Sequence, residues 1–74
     1  MQLYAIVFDD SVSPDSRLAL ADSLETHHWD VKRKWIPADS SSGNLIIHHL
    51  EITNWYEQDL PLPTLPSGCF LEKP

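Results

Sequence analysis

Cysteine is nearly missing from this chain: Cys69 is the only one in 74 residues, so no disulfide can form within it. That excludes a disulfide scaffold and makes a reducing, cytoplasmic setting the expectation. Long apolar runs are missing too. No stretch reaches the roughly 18 residues that a membrane-spanning helix requires, so no membrane is expected as a partner. The N-terminus has no basic segment followed by an apolar run and a small-residue cleavage site, so signal-directed secretion is not expected either. Positive charge is scarce, with five Lys and Arg against eleven Asp and Glu and a net charge of −6. An acidic body repels phosphate backbones at long range, which disfavours nucleic acid as a partner and favours a basic protein surface.

What is present is the composition of a folded domain, since 42% apolar and 22% charged residues argue against disorder. A chain of this length supports one core and buries only about 60% of the surface it would expose unfolded. Its stability is therefore expected to be marginal, and self-association as a homodimer is one way such a domain recovers stability.

The run Leu3-Tyr4-Ala5-Ile6-Val7-Phe8 is apolar on both faces and ends at Asp9-Asp10. It predicts a central strand covered on both sides. Ser13-Pro14-Asp15 predicts a helix start. Ser13 caps free N–H groups, Pro14 suits the first helical position and Asp15 complements the helix dipole. The helix should continue to between Thr26 and His28, with Leu20, Ala21 and Leu24 on one face and Leu18 near its edge. From Trp29 to Ile36 the pattern alternates. Trp29, Val31 and Trp35 point one way and Asp30, Lys32 and Lys34 the other, while Arg33 interrupts the apolar side.

Pro37 ends that strand, a serine-rich loop covers Ala38 to Gly43, and a third strand is predicted from Asn44 to Thr53. Pairing Trp35 with Ile46, Val31 with Leu50 and Trp29 with Ile52 collects six apolar side chains on one face and sets Arg33 opposite His48. The expected class is α+β: a small β-α-β-β domain over residues 1–60, one helix packed on an antiparallel-containing sheet. Residues 61–74 should form a Pro-rich extended C-terminal tail, because Pro61, Pro63 and Pro66 lack the backbone donor. Gly68 to Glu72 has room for a short edge strand.

The side chains that carry chemistry are few. His27-His28 and His48-His49 are metal-ligand types, but adjacent strand residues face opposite ways and no metal-site spacing is present. Cys69 has no third group to orient a thiol–histidine pair. Lys32-Arg33-Lys34 between Trp29 and Trp35 could grip phosphates while rings stack on bases, yet the same pattern suits a strand with a core face and a lysine-protected outer face. Leu62-Pro63-Thr64-Leu65-Pro66 matches the core of an SH3-type ligand without the usual basic neighbour. No cofactor and no metal are expected.

Asp9-Asp10 stands where open sheets place ligands, beyond the end of the first strand, although two aspartates there also serve to close a turn. The order strand, strand-end Asp, helix, strand, strand, carried by Tyr4-Ala5-Ile6-Val7-Phe8-Asp9 and the helix from Pro14, resembles the start of the ferredoxin-like family containing CRISPR-associated and VapD-type ribonucleases. The resemblance implies a dimeric, Mg²⁺-dependent nuclease using Asp9. The second helix of that family has no counterpart, because 54–59 is too short to supply it.

Charge is uneven: residues 1–37 carry a net −2 and residues 38–74 a net −4. Asp39, Glu51, Glu57, Asp59 and Glu72, with Trp55 and Tyr56 among them, compose a candidate acidic, aromatic docking face. Aromatic anchors ringed by carboxylates suit a basic partner, with charge steering the encounter. The expected function is therefore a non-enzymatic protein-binding module, with binding residues Asp39, Glu51, Trp55, Tyr56, Glu57 and Asp59. In size and charge it is similar to phage-encoded inhibitors of host or CRISPR machinery and to antitoxin-like proteins. The alternatives are the nuclease and a structural homodimer formed by pairing of edge strands.

Overall fold

A computed structural model of the chain describes residues 1–39 and 43–73. The elements run β1 (Gln2–Phe8), α1 (Pro14–Thr26), β2 (Asp30–Pro37), β3 (Leu45–Asn54) and β4 (Cys69–Glu72). Every strand pair is antiparallel, and the sheet order is β2-β3-β1-β4. The result is a small α+β domain with one helix on a four-stranded sheet. The serine loop expected over 38–43 lies partly outside the described residues.

Local signals explain the helix ends. Ser13 Oγ accepts from the Ser16 N–H, and Pro14 occupies the first turn. At the other end the Trp29 N–H donates to Leu24 O and the His28 N–H to Glu25 O, both at 3.1 Å. With His28 at φ 76°, these bonds close a left-handed Schellman cap. Leu24 and Trp29, the two residues the cap joins, are both in the core. The buried stripe of α1 is Arg17, Ala21 and Leu24; Leu18 falls outside it and is exposed.

Arg17 is the unexpected member of that stripe. Its guanidinium donates to Val12 O, Ile47 O and Asp9 O at 3.0, 2.9 and 3.1 Å, and it lies 5.0 Å from the Phe8 ring centroid. One side chain thus ties the β1–α1 connection to β3. A buried guanidinium is tolerable only when its donors are satisfied in this way.

The expected hairpin register does not form. Val31 pairs with Ile52 and Arg33 with Leu50, and a bulge between Lys34 and Trp35 then sets Trp35 opposite Ile47. The bulge inserts His48 as an extra residue, so Ile47 rather than Ile46 turns to the core. The reason is electrostatic as well as apolar. In this register Arg33 faces α1 and forms ion pairs with Asp22 at 2.8 Å and with Glu25, whereas opposite His48 it would have met a potential cation.

β1 also departs from expectation, because only one of its faces is covered. Ile6 is fully buried, and Tyr4 and Phe8 pack against the same core cluster as Leu60 and Leu65. On the opposite face Leu3 is exposed and Ala5 and Val7 are only half-buried. Residues 60–66 carry neither helix nor strand, and among the described residues no second helix follows β3. Leu60 and Leu65 pack against the core cluster in its place.

Replacing Arg17 by Leu should cost roughly 3 kcal/mol, because it takes the Arg17 donors from the buried carbonyls of Val12 and Ile47, Asp9 O alone keeping the Val12 N–H, while saving only apolar volume. Urea unfolding followed by tryptophan fluorescence measures it; a loss below about 1 kcal/mol would show that water replaces those bonds.

Candidate protein-binding site

The loop after β3 is built on two amides, one buried and one half-buried. Asn54 is fully buried; its Nδ2 donates to Gln2 Oε1 at 2.7 Å and to Gln58 O at 2.9 Å, and its Oδ1 accepts from the Tyr56 N–H at 2.9 Å. Gln2 completes the set by accepting from the Leu60 N–H and donating to Leu60 O. With both amides satisfied, residues 54–60 are held in one course and the side chains between them turn outward.

Trp55 and Tyr56 are 68% and 61% exposed in consequence. Trp55 is not loose, since its Nε1–H donates to Asp30 Oδ2 at 2.8 Å. Beside it a cleft of about 520 Å³ is lined by Glu25, His28, Trp29, Asp30, Trp55 and Tyr56. A second, of about 540 Å³, lies between His28, Tyr56, Glu57, Gln58, Asp59 and Leu60. Tyr56 and His28 belong to both. The arrangement offers aromatic faces next to carboxylates, a combination that suits arginine and lysine side chains.

Of the six expected binding residues, four come together here: Trp55, Tyr56, Glu57 and Asp59. The other two do not. Asp39 follows β2 at the opposite end of that strand, and Glu51 lies on the open sheet face, 3.8 Å from Lys34 Nζ and 3.6 Å from His49 Nε2. Glu25, His28 and Asp30 join the site without having been expected. They come from the helix end and the start of β2, and only the packing of those elements beside the 54–60 loop brings them in. The one local signal was His28 itself, placed where a helix C-cap calls for glycine.

The remaining candidates disperse. The Lys32-Arg33-Lys34 triad splits across the sheet, with Arg33 held charged against Glu25 and Asp22 on the helix side. His48 and His49 do not face apart, because the bulge brings their Nδ1 atoms to 2.9 Å. Among the described residues no three His, Cys, Asp or Glu side chains gather as a metal ion would need. Cys69 is buried and not peripheral, and burial pushes its thiol pKa up, away from the nucleophilic thiolate.

Asp9 closes a turn. Its Oδ1 accepts from the Ser11 hydroxyl and from the Ser11 N–H at 2.9 Å, and these bonds, the hydroxyl first, hold its carboxyl below the usual range. Gly68, at φ 85°, packs over it so closely that a Cβ would meet Asp9 Oδ1 and Ser11 Oγ at 2.8 Å.

Two outcomes follow. Ser11→Ala should raise the Asp9 pKa towards its ordinary value, read by carboxyl-carbon NMR titration. Because the folded-state pKa is depressed, the lost stabilisation is present above the unfolded value of about 3.9 and disappears as pH falls through the folded one. An unchanged titration would refute the Ser11 assignment. His28→Gly should stabilise the fold by up to about 1 kcal/mol by relieving the left-handed backbone, checked by thermal unfolding; a loss of stability would mean that the imidazole contributes more than the strain costs.

No protein-family model matches this chain, and no curated protein or solved structure matches it either.

Proposed function

We propose that this chain is a non-enzymatic protein-binding module whose acidic, aromatic end docks on a basic protein surface. The observation that carries the reading is the exposure of Trp55 and Tyr56 while hydrogen bonds to Asp30 and Asn54 hold the segment in place. Large rings fixed outward before binding lose little entropy on docking, and tryptophan and tyrosine dominate binding hot spots. Glu25, Asp30, Glu57 and Asp59 around them supply the charge that selects a basic partner and speeds the encounter. A module that covers a basic surface competes with phosphate backbones for it, so an inhibitory role of the kind played by small phage-encoded or antitoxin-like proteins is the biological form of this reading.

The test compares proteins retained from host lysate by the wild type, by Glu57→Lys/Asp59→Lys and by Trp55→Ala, at low and high salt. A basic protein retained by the wild type, released by salt and bound at least about tenfold more weakly by both variants is the expected result. Equal retention by variants whose circular dichroism is native would sink the proposal.

A further inference from the structure

Among the described residues no element covers the face of the sheet turned away from α1. It presents Leu3, Ala5 and Val7 from β1, Phe70 from β4 and Ile36 and Ile46 from the far end of the β2–β3 hairpin. Leu3, Ile36 and Phe70 are 42%, 41% and 53% exposed. These apolar side chains are costly to leave in water, and they share the face with Asp30, Lys32, Lys34, His49, Glu51, Thr53 and Glu72.

The strand registers order the polar groups of this face into rows. One row runs Lys32, Glu51, Ala5, Glu72 from β2 to β4, and the next runs Lys34, His49, Val7, Phe70. Each row begins with a cation on one edge strand and ends with a carboxylate or an aromatic ring on the other. A twofold axis parallel to the strands, midway between β3 and β1, turns such a row back on itself. It sets Lys32 of one copy over Glu72 of the other, and Lys34 over Phe70, each twice.

From this self-complementarity we infer that the open face is the interface of a homodimer, in which two copies pack sheet against sheet in aligned fashion. Among the described residues neither Lys32 nor Glu72 has an ion pair within its own chain, so both are available to the second copy. Glu51, which the packing encloses, already has Lys34 at 3.8 Å and His49 at 3.6 Å and brings no unpaired charge. Pairing by edges is disfavoured by comparison, because β4 has four residues and β2 carries lysines, a bulge and a terminal proline. Only the two rows that cross all four strands, with Thr53 over Leu3 beside them, superpose fully, a patch of roughly 20 by 14 Å, so two copies bury on the order of 700 Å². That area corresponds to a reversible dimer.

Sedimentation velocity from about 1 µM to 1 mM tests this directly. The expected result is a concentration-dependent monomer–dimer equilibrium, with Phe70→Asp, Lys32→Glu and Glu72→Lys each weakening it about tenfold. The double variant Lys32→Glu/Glu72→Lys restores the ion pairs with their signs exchanged and should recover association to within about threefold. Lys32 and Glu72 are exposed, so their variants keep the test valid if Phe70→Asp unfolds. A monomer at every concentration, a dimer indifferent to these substitutions, or a double variant no better than the single ones would each overturn the inference. Glu57→Lys, in the loop after β3 and outside the sheet, leaves this equilibrium unchanged, which separates it from the docking end.

Discussion

Two amides closed against each other, Asn54 buried and Gln2 half-buried, set the course of this chain. Gln2 and Asn54 are register partners on β1 and β3, and between them they satisfy the backbone of Tyr56, Gln58 and Leu60. In a low-dielectric interior an unpaired amide is costly, so the network is stable only when all of these partners are in place together. Its closure decides two things at once. The loop after β3 cannot collapse onto the core, so Trp55 and Tyr56 face solvent, and Leu60 is delivered to the sheet at the point where the Pro-containing segment begins.

A second constraint is the mismatch between one helix and a sheet with two faces. On the inner face α1 covers β2 and β3, and Leu60, Leu65 and Leu71 complete the core. Among the described residues the outer face has no comparable element. Much of what stands out on the surface follows from that shortage, including the half-buried Val7 and the exposed Phe70. Arg17 and Arg33 show how the inner face tolerates charge: Arg17 is spent on three backbone carbonyls, and Arg33 on two carboxylates of the helix above it.

Much of the fold was legible because its signals are local. The Ser13-Pro14 start needs only neighbouring residues to be read, and so does the apolar run of β1. The hairpin register was not legible, since it depends on a bulge at His48 and on carboxylates of a helix distant in sequence. The apolar character of β1 was open to two explanations, a second covering layer or an open face, and sequence pattern does not separate them. For the candidate site, Trp55, Tyr56, Glu57 and Asp59 were readable as one contiguous stretch. Glu25, His28 and Asp30 were not, because they arrive from other elements.

The sequence by itself determined the element types, the acidic balance and the impossibility of an internal disulfide. These are properties of composition and short-range periodicity, which act before the chain has folded. Of the expected apolar side chains, by contrast, Trp35 is 45% exposed, and Arg17 takes a place in the core stripe of α1. Only the tertiary structure decided that Asp9 closes a turn, that the basic triad divides across the sheet, and that two of the six acidic-face candidates lie elsewhere. The physical reason is that a side chain's role depends on which partners satisfy it, and those partners are set by strand register and by hydrogen bonds between residues up to 58 positions apart.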